Sequence, residues 1–344
     1  MIKRLIRELS VPLLLSSPFD SLSARFSENY VPIFMLHRFA CPALGIEGHQ
    51  ESFLRFALSE LKRYGYNFVS VEDVVISNIR GQRLPRKSVA FSLDDGYWDQ
   101  AIVGGRVFEE YDCPATFFVT TGFLDGDLWL WDAKVSYMVE NSTSIGLDAL
   151  RKRYSKLSLV GSPATVASTL NFYIATFLSH RIDQEILEIS KVTQVDLPVP
   201  APEKYKAMSW SQARYLERLG MKLAPHSLSH PILSSLSHLQ AQSEIIGSWN
   251  RLNRQVSNAS PVFCYPTGRQ EDFGSREAEI LRESDLRAAV SAMPGYVGSE
   301  SSNDIWSLPR FSFPENISTL LQYASWIEHF KSHFRRSTSK LTSI

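Results

Sequence analysis

Two adjacent carboxylates, Asp94 and Asp95, end the apolar run Val89-Ala90-Phe91-Ser92-Leu93 and are followed at once by Gly96. Neighbouring carboxylates repel unless something positive, a proton or a metal ion, is shared between them. A second pair of chemically capable residues lies in Pro225-His226-Ser227-Leu228-Ser229-His230-Pro231. Two imidazoles four residues apart can bind one metal when they share a helical turn. Pro231 limits any such helix, so a loop or single turn is expected there. Each feature alone has a plain structural explanation: Asp and Gly terminate strands, and single histidines often serve as hydrogen-bonded structural groups. A third segment, Phe263-Cys264-Tyr265-Pro266-Thr267-Gly268, also runs from apolar residues into a turn. A backbone held in such a turn could aim a peptide N–H at a substrate oxygen.

These groups must be positioned by something, and the chain supplies a regular alternation. Short apolar runs read as strands at 32–36, 67–71, 89–93, 115–120, 222–225, 262–265 and 288–291, with a weaker eighth at 307–311. Helical periodicity appears at 52–64, 100–110, 209–219, 236–254, 275–283 and 318–334. Strands alternating with helices predict parallel pairing with crossover helices, and seven or eight such units suffice to close a barrel. In such a barrel the strand C-termini carry the chemistry, which is where all three segments fall. Residues 124–202 break the rhythm with helical stretches at 132–140, 165–178 and 183–191 and a proline-spaced end, Leu197-Pro198-Val199-Pro200-Ala201-Pro202. They are expected to form a helical insertion above the strand C-termini, the alternative being outer-ring helices with a long loop. The resulting division is an N-terminal helical extension (1–30), a barrel (31–334) containing the insertion, and a C-terminal tail (335–344).

The bulk composition narrows the partners. Of 344 residues, 44% are hydrophobic and 21% charged, as in a water-soluble globular protein. Basic and acidic residues both number 36, and a chain without net positive charge is not built mainly to bind nucleic acid. Three scattered cysteines without a CxxC pair argue against a disulfide framework and favour a reducing compartment. The basic start of the chain and its short run 11–15 lack the features of an export signal, and no apolar stretch reaches the ~20 residues of a membrane span. A cytoplasmic location is therefore expected. An interfacial helix over 2–15 would give peripheral membrane contact; a helix packed on the outside of the domain is the favoured alternative.

Taken together and in this order, the three segments resemble the polysaccharide deacetylase family, the NodB-homology enzymes of carbohydrate esterase family 4. Phe91-Ser92-Leu93-Asp94-Asp95-Gly96 resembles its Thr-Phe-Asp-Asp-Gly, His226-Ser227-Leu228-Ser229-His230 its His-Ser/Thr-x-x-His, and Phe263-Cys264-Tyr265-Pro266-Thr267-Gly268 its Phe-x-Tyr-Pro-x-Gly. Weaker likenesses at Met35-Leu36-His37-Arg38, at Trp210 with Gly220-Met221, and at Leu308-Pro309-Arg310-Phe311 extend the match over roughly 31–315, the insertion excepted.

The resemblance implies a distorted (β/α)7-8 barrel of the NodB-homology type. It implies Zn2+, or another divalent transition metal, bound by Asp95, His226 and His230, with Asp94 as general base towards a metal-activated water. Two imidazoles and one carboxylate with open positions suit a catalytic rather than a structural zinc. By the same analogy the backbone N–H of Tyr265 would hold the oxyanion. Many relatives carry an arginine at the position of Cys264 to orient the base, and here Arg310 is the candidate for that task. The late histidine that relatives use as general acid is matched only by Ile327-Glu328-His329, so His37 is the better-placed group for proton transfer. Tyr97, Trp98, Trp129, Trp131 and Trp210 are candidates for stacking on sugar rings, with Trp129-Leu130-Trp131 the foremost. The expected activity is removal of N-acetyl groups from amino sugars of a polysaccharide or lipid-linked glycan. Deformylation of a lipid-linked amino sugar and a non-catalytic glycan-binding barrel are the alternatives.

Overall fold

The computed structural model describes residues 30–298 other than Asp127, residues 304–325, 327 and 328, and the isolated Leu15. The extension before residue 30, the proposed interfacial helix, His329 and the tail thus lie outside the described residues, Leu15 excepted. Among the described residues no helix is long and apolar enough to cross a membrane.

The strands are β1 (Tyr30–Leu36), β2 (Asn67–Val69), β3 (Ser88–Leu93), β4 (Thr116–Val119), β5 (Lys222–Pro225), β6 (Val262–Cys264), β7 (Ala288–Val290), β8 (Tyr296–Gly298) and β9 (Phe311–Ser312). The α-helices are α1 (Glu51–Arg63), α2 (Val71–Arg80), α3 (Gly105–Glu110), α4 (Thr121–Leu124), α5 (Trp131–Glu140), α6 (Ser144–Arg153), α7 (Pro163–Phe177), α8 (Ile182–Thr193), α9 (Trp210–Arg218), α10 (His238–Asn253), α11 (Ser275–Arg282) and α12 (Ile317–Ala324).

Parallel pairing runs from β1 to β3, from β3 to β4 and from β4 to β5, with β2 on the first half of β3. On its other side β1 pairs with β9. A parallel bridge between Val290 and Leu308 joins β7, and through it β6, to that edge. The remaining junction, β5 to β6, is spanned by the Ser260 N–H donating to the Leu223 carbonyl at 2.8 Å. The strands thus make a distorted α/β barrel. β8 departs from the parallel scheme, pairing antiparallel with the start of β1.

Alternation along each strand sorts the core into two sides. Phe34, Leu36, Phe91, Leu93, Phe117 and Val119 pack outward against α1, α3 and α12. Ile33, Ala90, Phe118, Ala224, Val262 and Val290 face inward, where α2 adds Val71, Val74 and Val75. Burial on both faces is why β3 reads in the sequence as a continuous apolar run rather than as an alternating one.

Several boundaries differ from the sequence expectation for local reasons. The strand expected over 67–71 stops at Val69 because Ser70 caps α2, its side chain accepting from the Asp73 N–H while Asp73 returns a bond to the Ser70 N–H. Such a capping box is worth about 1 kcal/mol to a helix start. The single helix expected at 100–110 begins as a π turn over Gln100–Gly104. The expected strand 307–311 reduces to the Leu308 bridge and β9. α2, α4, α6 and β8 are additional.

Residues 131–193 form a helical layer with its own apolar cluster, including Val135, Met138, Leu150, Leu170, Ile174 and Ile189. Its first helix, α5, begins in the loop that follows α4, immediately beyond the C-terminal end of β4.

Candidate active site and metal centre

The alternation that buries Ala90 inward carries on through Ser92 to Asp94, so the first carboxylate enters the barrel interior. There it meets Arg310, which is 1% exposed and arrives just ahead of β9. The guanidinium grips both oxygens of Asp94, Nη1 to Oδ1 and Nη2 to Oδ2, each at 2.7 Å. Its other donors go to the Ser92 hydroxyl at 2.9 Å, the Ser291 carbonyl at 2.8 Å and the Cys264 sulfur at 3.1 Å. Only a planar fork can satisfy this many acceptors in one place. Burial alone would raise the Asp94 carboxyl, but the guanidinium outweighs it and the group ends below its ordinary value.

Asp95 cannot follow the same direction. Its backbone turns to φ +84°, in the left-handed region that ordinary residues avoid, and its side chain leaves the strand axis towards the histidines. Gly96 follows at φ +95°, and a Cβ there would stand 2.7 Å from the Leu124 side chain. The glycine of the motif is therefore required by the turn and by the close approach of α4. Ser227 and His230 also have positive φ, 64° and 62°. Non-glycine residues in this region cluster where a binding site over-determines the backbone.

Asp95 Oδ1 lies 3.5 Å from His226 Nε2 and 3.3 Å from His230 Nε2. Direct charge-assisted bonds would be shorter, about 2.7–2.9 Å. Donors bound tetrahedrally at about 2.0–2.1 Å from one ion stand roughly 3.3 Å apart, so the observed spacing fits a shared cation. His226 Nδ1 lies 2.8 Å from the Cys264 carbonyl, which can only accept. That fixes the proton on Nδ1 and leaves Nε2 with its lone pair free for a metal. A second cluster, Asp94, His226 and Cys264, has comparable spacing, but Arg310 already occupies Asp94. Burial also pushes the Cys264 thiol well above its ordinary value, so it is not poised as a nucleophilic thiolate. Burial would lift the Asp95 carboxyl too, yet its contacts with both histidines hold it well below the ordinary range. Burial lowers His230, and Asp95 more than reverses this, raising it.

Three supports of this centre gave no motif in the sequence. Glu244, on α10, accepts from the Leu228 and Ser229 N–H groups, each at 2.9 Å, and from the Ser229 hydroxyl at 2.6 Å. It clamps the loop between the two histidines. Gln100, on the π turn, donates its amide to the carbonyls of Asp94 and His37, tying the ends of β3 and β1 together. Thr120 bonds the Asp95 carbonyl through its N–H and the His226 carbonyl through its hydroxyl, at 3.0 and 3.2 Å.

The other expected residues are distributed unevenly. His37 is exposed at the end of β1 and lines the same cavity as Asp95. Tyr265 requires correction. Its N–H donates to the Val290 carbonyl at 3.2 Å as part of the β6–β7 pairing, so it is not free to meet an oxyanion. Its ring stacks on Phe273 at 3.9 Å and its hydroxyl bonds the Trp306 carbonyl, which makes it a core residue. Thr267, two residues on, reaches the cavity instead. Among the aromatics, Tyr97 and Trp131 line the cavity. Trp129 stacks inside on Tyr205, while Trp98 and Trp210 are tied by their indole N–H groups to the Glu203 carbonyl and to Asp125.

The cavity is about 570 Å³ in volume. Its floor holds His37, Asp95 and Tyr97 from the barrel, and the facing wall is built by α5 and α7. The insertion helices α5 and α7 thus form one side of the cavity that contains Asp95.

Strands whose C-termini converge on two histidines and a carboxylate, with a second, locked carboxylate beside them, give an α/β barrel whose mouth holds a donor set that could take one divalent cation. Residues 165–289 match the family model described as polysaccharide deacetylase. That span holds the histidine pair but not Asp94 and Asp95. The Streptococcus pyogenes deacetylase PplD in complex with acetate is 17% identical, with a TM-score of 0.57 over 86% of this chain and 98% of that one. IcaB from Ammonifex degensii is 14% identical, with a TM-score of 0.56 over 86% and 97%. A de-N-acetylase from Aggregatibacter actinomycetemcomitans is 16% identical, with a TM-score of 0.53 over 86% and 100%. A comparison with curated protein sequences finds no match. The family match over residues 165–289 and the fold shared with these structures agree with the class of barrel that the site describes.

Proposed function

We propose that the protein removes N-acetyl groups from amino sugars of a glycan, polymeric or lipid-linked, with the help of a divalent cation. The observation that carries this reading is the pairing of two differently held acids: Asp95 spaced with His226 and His230 for a metal, and Asp94 fixed beside them by Arg310. A cation such as Zn2+ at Asp95, His226 and His230 would polarise the amide carbonyl and acidify water. Asp94, kept ionised by Arg310, takes the proton of the attacking water. Arg310 also prevents the carboxylate from rotating, so the lone pair that accepts the proton stays aimed along one direction. The tetrahedral adduct collapses by breaking the C–N bond, and the leaving nitrogen takes a proton to become a free amine. His37, exposed at the cavity floor, is the group placed to return that proton. Acetate is the second product, and the related Streptococcus pyogenes deacetylase has been solved with acetate.

Purified protein is expected to carry one equivalent of zinc or a similar ion and to release acetate from N-acetylglucosamine oligomers. Asp94→Asn should abolish turnover while metal binding persists, whereas His226→Ala should lose both. Protein that holds no stoichiometric metal and is indifferent to chelator would overturn the reading in favour of a non-catalytic glycan-binding barrel.

A further inference from the structure

The cavity that contains Asp95 also holds a cation whose binding capacity the folded chain leaves partly unused. Among the described residues, three Arg or Lys side chains line it: Arg38 just beyond β1, Lys204, and Arg269 in the loop after β6. The Lys204 ammonium donates to both oxygens of Glu140, at 2.7 and 2.8 Å. All three nitrogens of Arg269 are engaged, two with Asp272 at 2.9 and 2.8 Å and one with the Thr176 hydroxyl at 2.7 Å. Arg38 differs. Its Nε donates to Asp99 and its Nη2 to the Lys204 carbonyl, each at 2.8 Å. Nη1 makes no hydrogen bond and, unlike the unpartnered atoms sealed inside the site, stays accessible on a side chain that is 17% exposed.

What remains is a rigid fork. Asp99 is fully buried and its second oxygen is held by the Phe39 N–H at 2.6 Å, so it cannot swing round to the unused nitrogen. The guanidinium carbon lies 3.9 Å from the centroid of the Tyr97 ring, and that ring is itself buried edge-on against Phe123. One side of the guanidinium is thus paired and one face covered, leaving Nη1 and the second N–H of Nη2. The acids of the cavity do not claim them. Glu140 is held by Lys204 and by the Tyr205 hydroxyl, and the exposed Glu47 forms no ion pair with Arg38 among the described residues. Two N–H groups on one fixed plane match the paired oxygens of a carboxylate or a phosphate, and such charge-assisted bonds are about twice as strong as neutral ones.

We propose that Arg38 binds a negatively charged oxygen group of the substrate, a carboxylate or a phosphate, and so selects acidic glycans for deacylation. The inference rests on the deacetylase reading above, because it assigns chemistry to the occupant of the same cavity. Arg38 is a substrate-positioning residue and makes no bond to Asp94, Asp95 or the histidines. A uronic acid in a polymer supplies such a group, and so does the phosphate on the anomeric carbon of a lipid-linked sugar. Both present paired anionic oxygens to the same fork.

The test compares zinc-loaded wild type with Arg38→Lys, which keeps a positive charge beside Asp99 but has no planar fork. Three substrates are used: a neutral N-acetylglucosamine oligomer, a disaccharide of N-acetylglucosamine and glucuronic acid, and N-acetylglucosamine 1-phosphate. Wild-type kcat/KM should be about tenfold to a hundredfold higher on at least one anionic compound than on the neutral oligomer. Arg38→Lys should lose most of that preference, through KM rather than kcat. Anion binding to the metal persists in the variant, so the difference between the two proteins isolates Arg38. Preference for the uronate supports the inference with an acidic polysaccharide as the source, and preference for the phosphate supports it with a glycosyl phosphate. A wild type that hydrolyses the three compounds alike would overturn the inference while leaving the deacetylase reading intact, and this comparison stands even if Arg38→Lys does not fold. Equal losses on all three substrates in Arg38→Lys would also overturn it, making Arg38 a brace for the Lys204 carbonyl. A zinc-loaded wild type inert towards all three would overturn the deacetylase reading itself.

Discussion

Arg310→Met removes the guanidinium that holds Asp94, replacing it with an apolar side chain of similar length. Asp94 is 2% exposed and Arg310 1%, so the orphaned carboxylate has no water to turn to. Breaking one side of a buried ion pair costs about 3–5 kcal/mol, a large share of the ~5–15 kcal/mol that holds a domain together. The sign with pH separates this cause from simple loss of packing. In the native protein the Asp94 carboxyl is depressed, so the pair's contribution is present above the unfolded carboxylate value of about 3.9 and is lost as pH falls through the native one. In the variant the largest opposing influence is gone, with only His226 and His37 still acting against burial, so the carboxyl rises and the folded state comes to prefer the protonated acid. The variant then loses stability as pH rises through and above the ordinary carboxylate range. The stability gap between the two proteins should be widest at neutral pH and shrink on acidification. Urea unfolding of both proteins across the pH range where folding remains cooperative measures the gap directly. The double variant Arg310→Met/Asp94→Asn, which removes the stranded charge, should recover a substantial part of the loss. Kinetics give a second view: the acid limb of kcat/KM should move to higher pH in Arg310→Met because the base is protonated earlier. A stability gap that is constant with pH, together with no recovery in the double variant, would refute the assignment of Arg310 as the partner that keeps Asp94 ionised.

Other positions give sharper local tests. Glu244→Gln leaves the Leu228 and Ser229 N–H groups facing an uncharged amide. It should cost about 1–3 kcal/mol and weaken zinc binding by roughly 10–100-fold, as read by chelator competition; unchanged affinity would deny Glu244 its clamping role. Gly96→Ala must place a methyl at positive φ against Leu124. A lowered Tm and a cost of about 1–3 kcal/mol are expected, and an unperturbed melt would contradict the turn geometry. Cys264, whose thiol burial pushes well above the ordinary value, should resist iodoacetamide in the folded protein at neutral pH. The half-buried Cys41 should react first, and mass spectrometry after partial labelling distinguishes the two.

Much of this arrangement was legible along the chain because its signals are local. The run Val89–Leu93 ends in two acids and a glycine, so a buried strand delivering carboxylates to its tip follows from residue types alone. The His226–His230 spacing after a short apolar run places two imidazoles at another strand end for the same reason. Periodicity likewise marked most barrel helices. The misses came where context outranks propensity: β8 pairs antiparallel through residues with no alternation, and the strand expected to run to 71 yields to the Ser70–Asp73 capping box.

Tyr265 shows the limit most clearly. Its neighbours Pro266 and Gly268 identify a turn, but which amide points at the cavity depends on whether the partner strand claims that N–H, and Val290 does. Glu244 and Gln100 are invisible for a related reason, since a lone acid or amide on a helix carries no pattern until the loop it braces is folded against it.

The sequence by itself indicated the barrel class and the order in which the acids and histidines reach the strand ends, because strand burial and motif spacing are properties of contiguous residues. Only the tertiary structure separated the two adjacent acids. Side-chain alternation sends Asp94 inward to Arg310, a residue 216 positions away, while positive φ swings Asp95 out to His226 and His230. It also showed that helices α5 and α7 of the insertion line the cavity that contains Asp95. Whether a buried polar group has a partner is a fact about neighbours in space, and no local pattern encodes it.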